Sequence, residues 1–186
     1  MSSRIAYRIV HKQLLSPMQC AQILSWKEDF WTPGTVDNHI ANLQIRKASI
    51  QPFPLNSVAL SFLRDLEKVV YAANQQYWNF QLDGFVLHDD PPQFVRYQKG
   101  DHYEWHIDHD HRSATRKLTC ILQLSDDKSY LGGDFCVFPP VEGEQKKRRL
   151  QGTLIILPVY VPHRVLPIIE GYRDVLVGWM HGRPFS

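Results

Sequence analysis

The sequence predicts an α+β fold that is mainly β, in which two N-terminal helices support one sheet of a sandwich or barrel. Short alternating apolar segments separated by turn residues follow one another from residue 84 onward, and two helical patterns precede them. With 186 residues, 44% hydrophobic and 22% charged, the chain has the size and composition of one globular domain. We therefore predict a single domain, with residues 1–83 as helical support and possible flap and residues 84–186 as the β core.

The N-terminal half contains one predicted strand and two predicted helices. After a short strand over residues 5–10, Ser16-Pro17-Met18-Gln19 has the pattern of a capping box with proline at the first helical position. Apolar residues spaced by about 3.6 positions predict a longer helix over Ala59–Ala73. Between the helices, Trp31–Ile50 is polar and mixed, with two possible short strands. It is either a mobile flap or a plain connecting hairpin, and the pattern favours neither.

The second half is predicted to consist of short strands. So many strands in about a hundred residues are typical of a sandwich or barrel. We expect the helices to cover one outer sheet and the opposite mouth to stay open for a substrate. The predicted strands are Gln93–Gln98, Tyr103–Asp108, Leu118–Leu124, Asp134–Phe138, Arg148–Gln151, Thr153–Leu157, His163–Pro167 and Asp174–His181.

Composition argues against several classes of partner. A net charge of +2 gives little support for nucleic acid. The three cysteines, Cys20, Cys120 and Cys136, show no C-x-x-C spacing, so we expect small buried side chains rather than disulfides or a zinc site, as in a reducing cytoplasm. The N-terminus has no basic segment followed by an apolar stretch, and no apolar run approaches about 18 residues, so we expect neither secretion nor a membrane partner.

The pair His106-Ile-Asp108 is the strongest local signal for chemistry. On a β-strand, residues two apart project from the same face, so both side chains can reach one metal ion. His163 offers a third ligand, and two histidines with one carboxylate leave three open positions, as a non-haem Fe(II) site requires. Asp110 with Asp108 is a rival pairing. Strand alternation points His109 away from the pair.

The segment from Tyr97 to Asp108 has the pattern Y-x-x-G-x-x-Y-x-x-H-x-D. With His163, an arginine ten residues later and the strand pattern, it resembles the 2-oxoglutarate- and Fe(II)-dependent dioxygenases, and within them most the prolyl 4-hydroxylase branch. The resemblance covers residues 93–181 and implies a double-stranded β-helix (jelly-roll) core. The N-terminal half fits only as a helical support.

By this resemblance, His106, Asp108 and His163 are the catalytic iron ligands. The resemblance also implies Fe(II), 2-oxoglutarate as cosubstrate, O2, and ascorbate as reductant. The implied reaction couples oxidative decarboxylation of 2-oxoglutarate, to succinate and CO2, with hydroxylation of a prolyl residue at its 4-position in a peptide or protein.

The resemblance also assigns the cosubstrate residues. Arg173 would bind the far carboxylate of 2-oxoglutarate, for which a guanidinium offers a planar fork that stays charged. Tyr97 matches the family tyrosine whose hydroxyl binds the cosubstrate. Family members often carry a second hydroxyl on the third strand, where this chain has Gln123, and Thr119 would compensate.

Three further matches concern the substrate. Tyr103 corresponds to a tyrosine beside the target proline, Arg116 to an arginine that holds the peptide backbone, and Trp179 to a tryptophan that walls the proline pocket. A flat apolar ring flanked by hydroxyl and guanidinium donors suits proline, which lacks an N–H but keeps its carbonyl.

Two other functions stay open from the sequence. The same iron chemistry could act on a small molecule, a free amino acid or an alkylated nucleobase, although a repair demethylase should show a basic surface that the balanced charge does not support. A non-catalytic β-helix module that binds a metal or ligand would predict a broken triad or a lost carboxylate anchor, and both are intact here.

Overall fold

The protein's structure, a computed structural model, describes residues 10–35, 42–110, 113–140 and 149–185. Helix α1 spans Pro17–Leu24, and Ser16 and Gln19 form the predicted reciprocal capping box at its start. Helix α2 spans Ser57–Tyr77, where the side chain of Asn56 accepts a hydrogen bond from the first turn. Residues 5–9 of the predicted first strand lie outside the described residues, and the strand that is described there spans Val10–Gln13.

The strands form three antiparallel sheets. The major sheet has the order β1-β11-β8-β14-β6-β4-β2, with β5 also paired to β14; the minor sheet has the order β10-β12-β7-β3; β13 pairs with β9. The major and minor sheets face each other as the predicted double-stranded β-helix. The strands are β1 Val10–Gln13, β2 Thr32–Pro33, β3 Arg46–Lys47, β4 Ser49–Pro52, β5 Gly84–Phe85, β6 Gln93–Gln98, β7 His102–His106, β8 Arg116–Gln123, β9 Leu131–Gly132, β10 Phe135–Val137, β11 Thr153–Pro158, β12 His163–Val165, β13 Ile168–Glu170 and β14 Tyr172–His181.

One predicted strand is not observed, and another ends before the metal ligand that it was predicted to carry. The strand predicted over Arg148–Gln151 is wrong for residues 149–151, none of which lies in a strand, and residue 148 lies outside the described range. The strand predicted to end at Asp108 ends at His106. Beyond the ladder, the Asp108 amide donates to the Val159 carbonyl at 2.9 Å, which fixes the backbone at this position without a strand partner.

Strand alternation divides the core into two layers. From Leu118 onward, even-numbered residues of β8 face the helices, and odd-numbered residues face the minor sheet. As predicted, both helices bury their apolar faces against the outer face of the major sheet. The outer layer contains Cys20, Ile23, Leu63, Leu66, Val70, Leu118, Leu122, Leu154 and Leu176 among others, and the inner layer contains Val95, Ile121, Phe135, Val137, Ile155, Leu157, Val165 and Val175.

The segment Trp31–Ile50 joins the edges of both sheets. Its strand β2 pairs with β4, which in turn pairs with β6, and β3 pairs with β7. Residues 36–41 of this segment lie outside the described residues. The segment therefore contributes edge strands to the β core.

Two predictions from composition concern disulfide bonds and membrane-spanning segments. All three cysteines are unpaired thiols; Cys20 and Cys120 are buried, whereas Cys136 is half-buried. In the described part of the chain, neither helix combines the length and the apolar character needed to cross a membrane.

Candidate active site

A cavity of about 740 Å³ opens between the two sheets. Its floor consists of the inward-facing residues of the major sheet, which alternate along each strand. On β14 these are Arg173, Val175, Val177 and Trp179. Strand geometry thus places a charged residue at one end of this row and an aromatic residue at the other.

The three predicted metal ligands meet in this cavity. His106 and His163 lie directly opposite each other on β7 and β12. The Asp108 carboxylate lies 3.8 Å from Nε2 of His106 and 3.5 Å from Nε2 of His163. Their ligand atoms all lie within 4.8 Å of one another, and no other His, Cys, Asp or Glu cluster of this kind occurs among the described residues.

Backbone hydrogen bonds orient both imidazole rings. Nδ1 of His106 lies 2.7 Å from the Glu104 carbonyl, and Nδ1 of His163 lies 2.9 Å from the Val161 carbonyl. Because a carbonyl oxygen only accepts, each Nδ1 carries a proton, and Nε2 of each ring is the nitrogen that faces the metal site beside Asp108. Two such nitrogens and one carboxylate are the donor set that Fe(II) takes, so these residues fit the metal that the sequence implied.

The protonation states also suit metal binding. Burial, together with the neighbouring His163, lowers the pKa of His106 to about 3, so its ring is neutral at neutral pH. Burial alone would raise the pKa of Asp108. The two histidines, Arg116 and a hydrogen bond from Thr119 outweigh that effect and hold the pKa below its usual value. The site therefore presents one carboxylate and a neutral imidazole.

Thr119 supports the carboxylate. Its hydroxyl donates to Oδ2 of Asp108 at 2.6 Å, and the residue is 1% exposed. The sequence predicted that Thr119 would bind the cosubstrate, but its single hydroxyl proton is already used. A further carboxylate could receive no hydrogen bond from it without breaking the bond to Asp108.

Arg173 lies at one end of the cavity floor. It is 2% exposed, and its Nε donates to Oε1 of Gln123 at 3.1 Å. Nη1 of Arg173 and Nε2 of Gln123 are buried without a hydrogen-bond partner among the described residues. A buried cation with unsatisfied donors is costly unless an anion completes it, so this end is suited to a carboxylate.

Tyr97 adjoins this end. It is 4% exposed, and its ring centre lies 5.6 Å from the guanidinium carbon of Arg173. Burial raises the pKa of its hydroxyl, which therefore stays protonated and can donate. The three predicted cosubstrate residues Tyr97, Gln123 and Arg173 thus lie together, with Thr119 apart from them.

The predicted substrate residues line the same cavity. The ring of Tyr103 stacks on His106 with centres 3.4 Å apart and planes 12° apart. The guanidinium carbon of Arg116 lies 3.5 Å from the ring centre of Trp179. Both aromatic rings therefore form flat walls beside the metal ligands.

Arg116 is held by a carboxylate that sequence analysis missed. Its Nε and Nη2 both donate to Asp90 at 2.6 Å, and Nε2 of His181 lies 3.0 Å from the same carboxylate. Burial would raise the pKa of Asp90, but these donors lower it overall. Asp90 precedes two prolines and its segment indicated only a turn, so nothing in the sequence pointed to this contact.

The rival ligand pairing is not formed. The Asp110 carboxylate accepts hydrogen bonds from the amide and hydroxyl of Ser113, each at 2.8 Å. His109 packs edge-on against Phe185. Neither residue joins the cluster of possible metal ligands.

Comparison with known proteins finds sequence relatives for about half of the chain. The sequence model of the 2OG-Fe(II) oxygenase superfamily matches residues 92–181. A PKHD-type hydroxylase of Shewanella baltica is 34% identical over 95 residues, which are 48% of this chain and 42% of that protein. A PKHD-type hydroxylase of a Synechococcus species is 34% identical over 86 residues, 46% of this chain and 39% of that protein. The chain therefore spans less than half the length of these relatives.

Solved structures share the fold over nearly the whole chain. A Pseudomonas putida prolyl-4-hydroxylase superposes with a TM-score of 0.71 at 22% identity, covering 95% of this chain and 94% of that chain. A prolyl hydroxylase from Trichoplax adhaerens, in complex with a hypoxia inducible factor peptide fragment, gives 0.74 at 16% identity, covering 95% and 83%. At such identities the likeness establishes the fold.

Proposed function

We propose that this chain, which matches the 2OG-Fe(II) oxygenase superfamily over residues 92–181 and shares the fold of a prolyl-4-hydroxylase, hydroxylates prolyl residues of a peptide or protein at the 4-position. The reaction would consume 2-oxoglutarate and O2 and release succinate and CO2. One observation carries the proposal: the His106–Asp108–His163 cluster and the unpaired donors of Arg173 open into the same cavity.

His106, Asp108 and His163 would hold Fe(II) through two Nε2 atoms and one carboxylate oxygen. When bound, the metal supplies open coordination positions and the redox chemistry that couples decarboxylation of the cosubstrate to hydroxylation. The protein orients these ligands through the backbone carbonyls at Nδ1 and the Thr119 hydroxyl. Ligand orientation therefore exists before the metal arrives.

Arg173, Gln123 and Tyr97 would bind the far carboxylate of 2-oxoglutarate. The unpaired Nη1 of Arg173 and the unpaired Nε2 of Gln123 supply two donors in a buried setting, where charge-assisted hydrogen bonds are strong. The Nε–Oε1 bond between the two residues keeps both side chains in place. Cosubstrate binding thus satisfies donors that the fold leaves without partners.

Tyr103, Arg116 and Trp179 would form the seat of the target residue. The rings of Tyr103 and Trp179 would contribute apolar surface beside a pyrrolidine ring, although His106 stacks on Tyr103 and Arg116 covers one face of Trp179. Arg116 keeps Nη1 without a hydrogen bond to the residues that the structure describes, so this nitrogen can donate to a peptide carbonyl. We include ascorbate as the reductant and the cytoplasm as the location; the location is supported by the cysteine pattern of the sequence.

The test is a product analysis. Purified protein is incubated with Fe(II), ascorbate, 2-oxoglutarate and proline-containing peptides or cell extract, and succinate and peptide masses are measured. The expected result is succinate together with one added oxygen on a prolyl residue, and neither with Asp108→Ala. Succinate without a modified prolyl residue would reject prolyl hydroxylation and redirect the search to small molecules or nucleobases.

A further inference from the structure

Resting on that proposed function, we propose that Arg46 binds an acidic group of the substrate, so that the enzyme prefers target residues with a glutamate or aspartate nearby. Arg46 lies in the segment between the two helices, which the sequence left as flap or hairpin. No motif in the sequence marked it as functional.

Arg46 occupies a cavity-lining position opposite Tyr103. Its strand β3 pairs with β7 so that Arg46 and Tyr103 are direct partners. The guanidinium carbon lies 4.9 Å from the centre of the Tyr103 ring, which itself stacks on His106. Arg46 is therefore one aromatic ring away from the metal ligands and lines the same cavity.

Among the described residues, backbone groups hold the guanidinium of Arg46. Nη1 of Arg46 donates to the Thr35 carbonyl at 2.9 Å. A Cβ at Gly34 would lie 2.8 Å from Nε of Arg46, so the absence of a side chain at residue 34 makes room for it. The Gly34 amide donates to the Ala48 carbonyl at 2.8 Å, which fixes this part of the segment. These contacts fix the position of the side chain.

In the described ranges no carboxylate lies within ion-pair distance of Arg46, and its Nε is buried there without a hydrogen-bond partner. The adjacent Lys47, by contrast, pairs with Asp101 at 3.3 Å. A partly desolvated guanidinium beside an aromatic ring binds carboxylates well, because its planar fork can donate two hydrogen bonds at once.

Four described aspartates line the cavity, and none forms an ion pair with Arg46: Asp89, Asp90, Asp108 and Asp110. Asp90 is paired with Arg116, and Asp108 belongs to the metal cluster. The far carboxylate of 2-oxoglutarate is expected at Arg173, which is carried by the other sheet. An acidic side chain of the bound peptide would supply the carboxylate that the described residues do not bring to Arg46.

Equilibrium binding without oxygen tests this assignment. Protein loaded with Fe(II) and 2-oxoglutarate under nitrogen is titrated calorimetrically with short peptides that carry one central proline. A single glutamate is moved through the neighbouring positions, and each peptide is compared with its glutamine counterpart. At one position or more, glutamate should bind about tenfold more tightly than glutamine.

Variants separate charge recognition from a structural role. Arg46→Met should remove the glutamate preference and leave binding of the glutamine peptides and of 2-oxoglutarate within about twofold. Gly34→Ala keeps the charge but displaces the guanidinium, and should reduce the preference too. Lys47→Met is the matched control, since it removes one cation from the same strand outside the cavity, and should keep the preference.

Four results would overturn the assignment. Three come from the peptide titrations: no glutamate preference in the unmodified protein, equal weakening of both peptide types by Arg46→Met, or no binding of any peptide. The fourth is a loss of 2-oxoglutarate affinity in Arg46→Met, which would mean that Arg46 binds the cosubstrate and not the peptide. A glutamate preference under nitrogen without hydroxylated proline in air would instead reject prolyl hydroxylation and keep the role of Arg46.

Discussion

The two ends of the cavity floor treat an arginine in opposite ways. Arg173 is buried, and its Nη1 has no partner among the described residues. Arg116, beside Trp179, is half-buried and has two of its nitrogens bonded to Asp90. Strand β14 carries both Arg173 and Trp179 on its inner face. The difference between the two ends therefore arises from the hydrogen-bond partners of the two arginines and not from the strand.

This difference indicates that the charge of Arg173 is available to bind a ligand, whereas the charge of Arg116 is held in place by Asp90. Leaving a buried guanidinium donor unsatisfied costs free energy that an incoming carboxylate recovers. At the other end Asp90 already supplies the carboxylate, which fixes the geometry of Arg116 and reduces its attraction for a second anion. We infer that the Arg173 end contributes cosubstrate affinity and that the Arg116 end contributes substrate orientation.

The largest effect is expected between the two ends, at the metal cluster. Asp108→Ala removes the one carboxylate of the donor set, and we expect Fe(II) affinity and succinate formation to fall by more than about 100-fold. Metal content after Fe(II) loading under nitrogen and succinate release measure the two effects. Asp110→Ala, the carboxylate of the rival pairing, is the matched control and should retain both. Near-normal succinate formation by Asp108→Ala would mean that the ligand assignment is wrong.

The next largest effect should be on the Kd for 2-oxoglutarate, and it should distinguish Arg173 from Arg116. Arg173→Met removes a buried charge that donates to Gln123 and has a further donor available, so the Kd for 2-oxoglutarate should rise about 100-fold. Arg116→Met is the control, and its Kd for 2-oxoglutarate should stay within about twofold. Both constants are measured by titration under nitrogen with Fe(II) bound. Equal loss in the two variants would remove the distinction between the two ends.

A smaller effect is expected at Asp90. Asp90→Asn keeps the shape of the side chain but removes the charge that holds Arg116, so the peptide KM should rise about 50-fold. Peptide-independent succinate formation should stay unchanged, because the metal and cosubstrate residues are untouched. If that uncoupled reaction fell in proportion, Asp90 would act on the cosubstrate end as well, and the comparison would fail.

The sequence predicted those site residues whose relative positions depend on short spacings along the chain. His106 and Asp108 lie two residues apart at the end of one strand, and this spacing predicted that both side chains reach the same metal ion. Arg173 was assigned by the family resemblance, through its spacing from His163. The contact between Asp90 and Arg116 joins positions 26 residues apart, and it depends on how a proline-rich loop meets a strand end. No periodic pattern encodes such a contact.

Arg46 shows the same limit in another form. It lies on a two-residue strand, which is too short for alternation to reveal a face, and its partner β7 lies more than 50 residues later. The sheet architecture and the outer helices were predictable because they depend on many apolar positions at once. The interstrand register at the edge depends on a few contacts that only the folded chain brings together.

The smallest effect is expected at Thr119, where it decides between two roles. Thr119→Val keeps the shape of the side chain but removes the hydroxyl that donates to Asp108, so Fe(II) affinity should fall about tenfold. The Kd for 2-oxoglutarate, measured at saturating Fe(II), should stay unchanged, because the donors at the Arg173 end remain. Thr119→Ser restores the hydroxyl and should restore metal affinity. A loss confined to 2-oxoglutarate affinity would instead assign Thr119 to the cosubstrate, as the sequence predicted, and would extend the Arg173 end along β8 towards the metal.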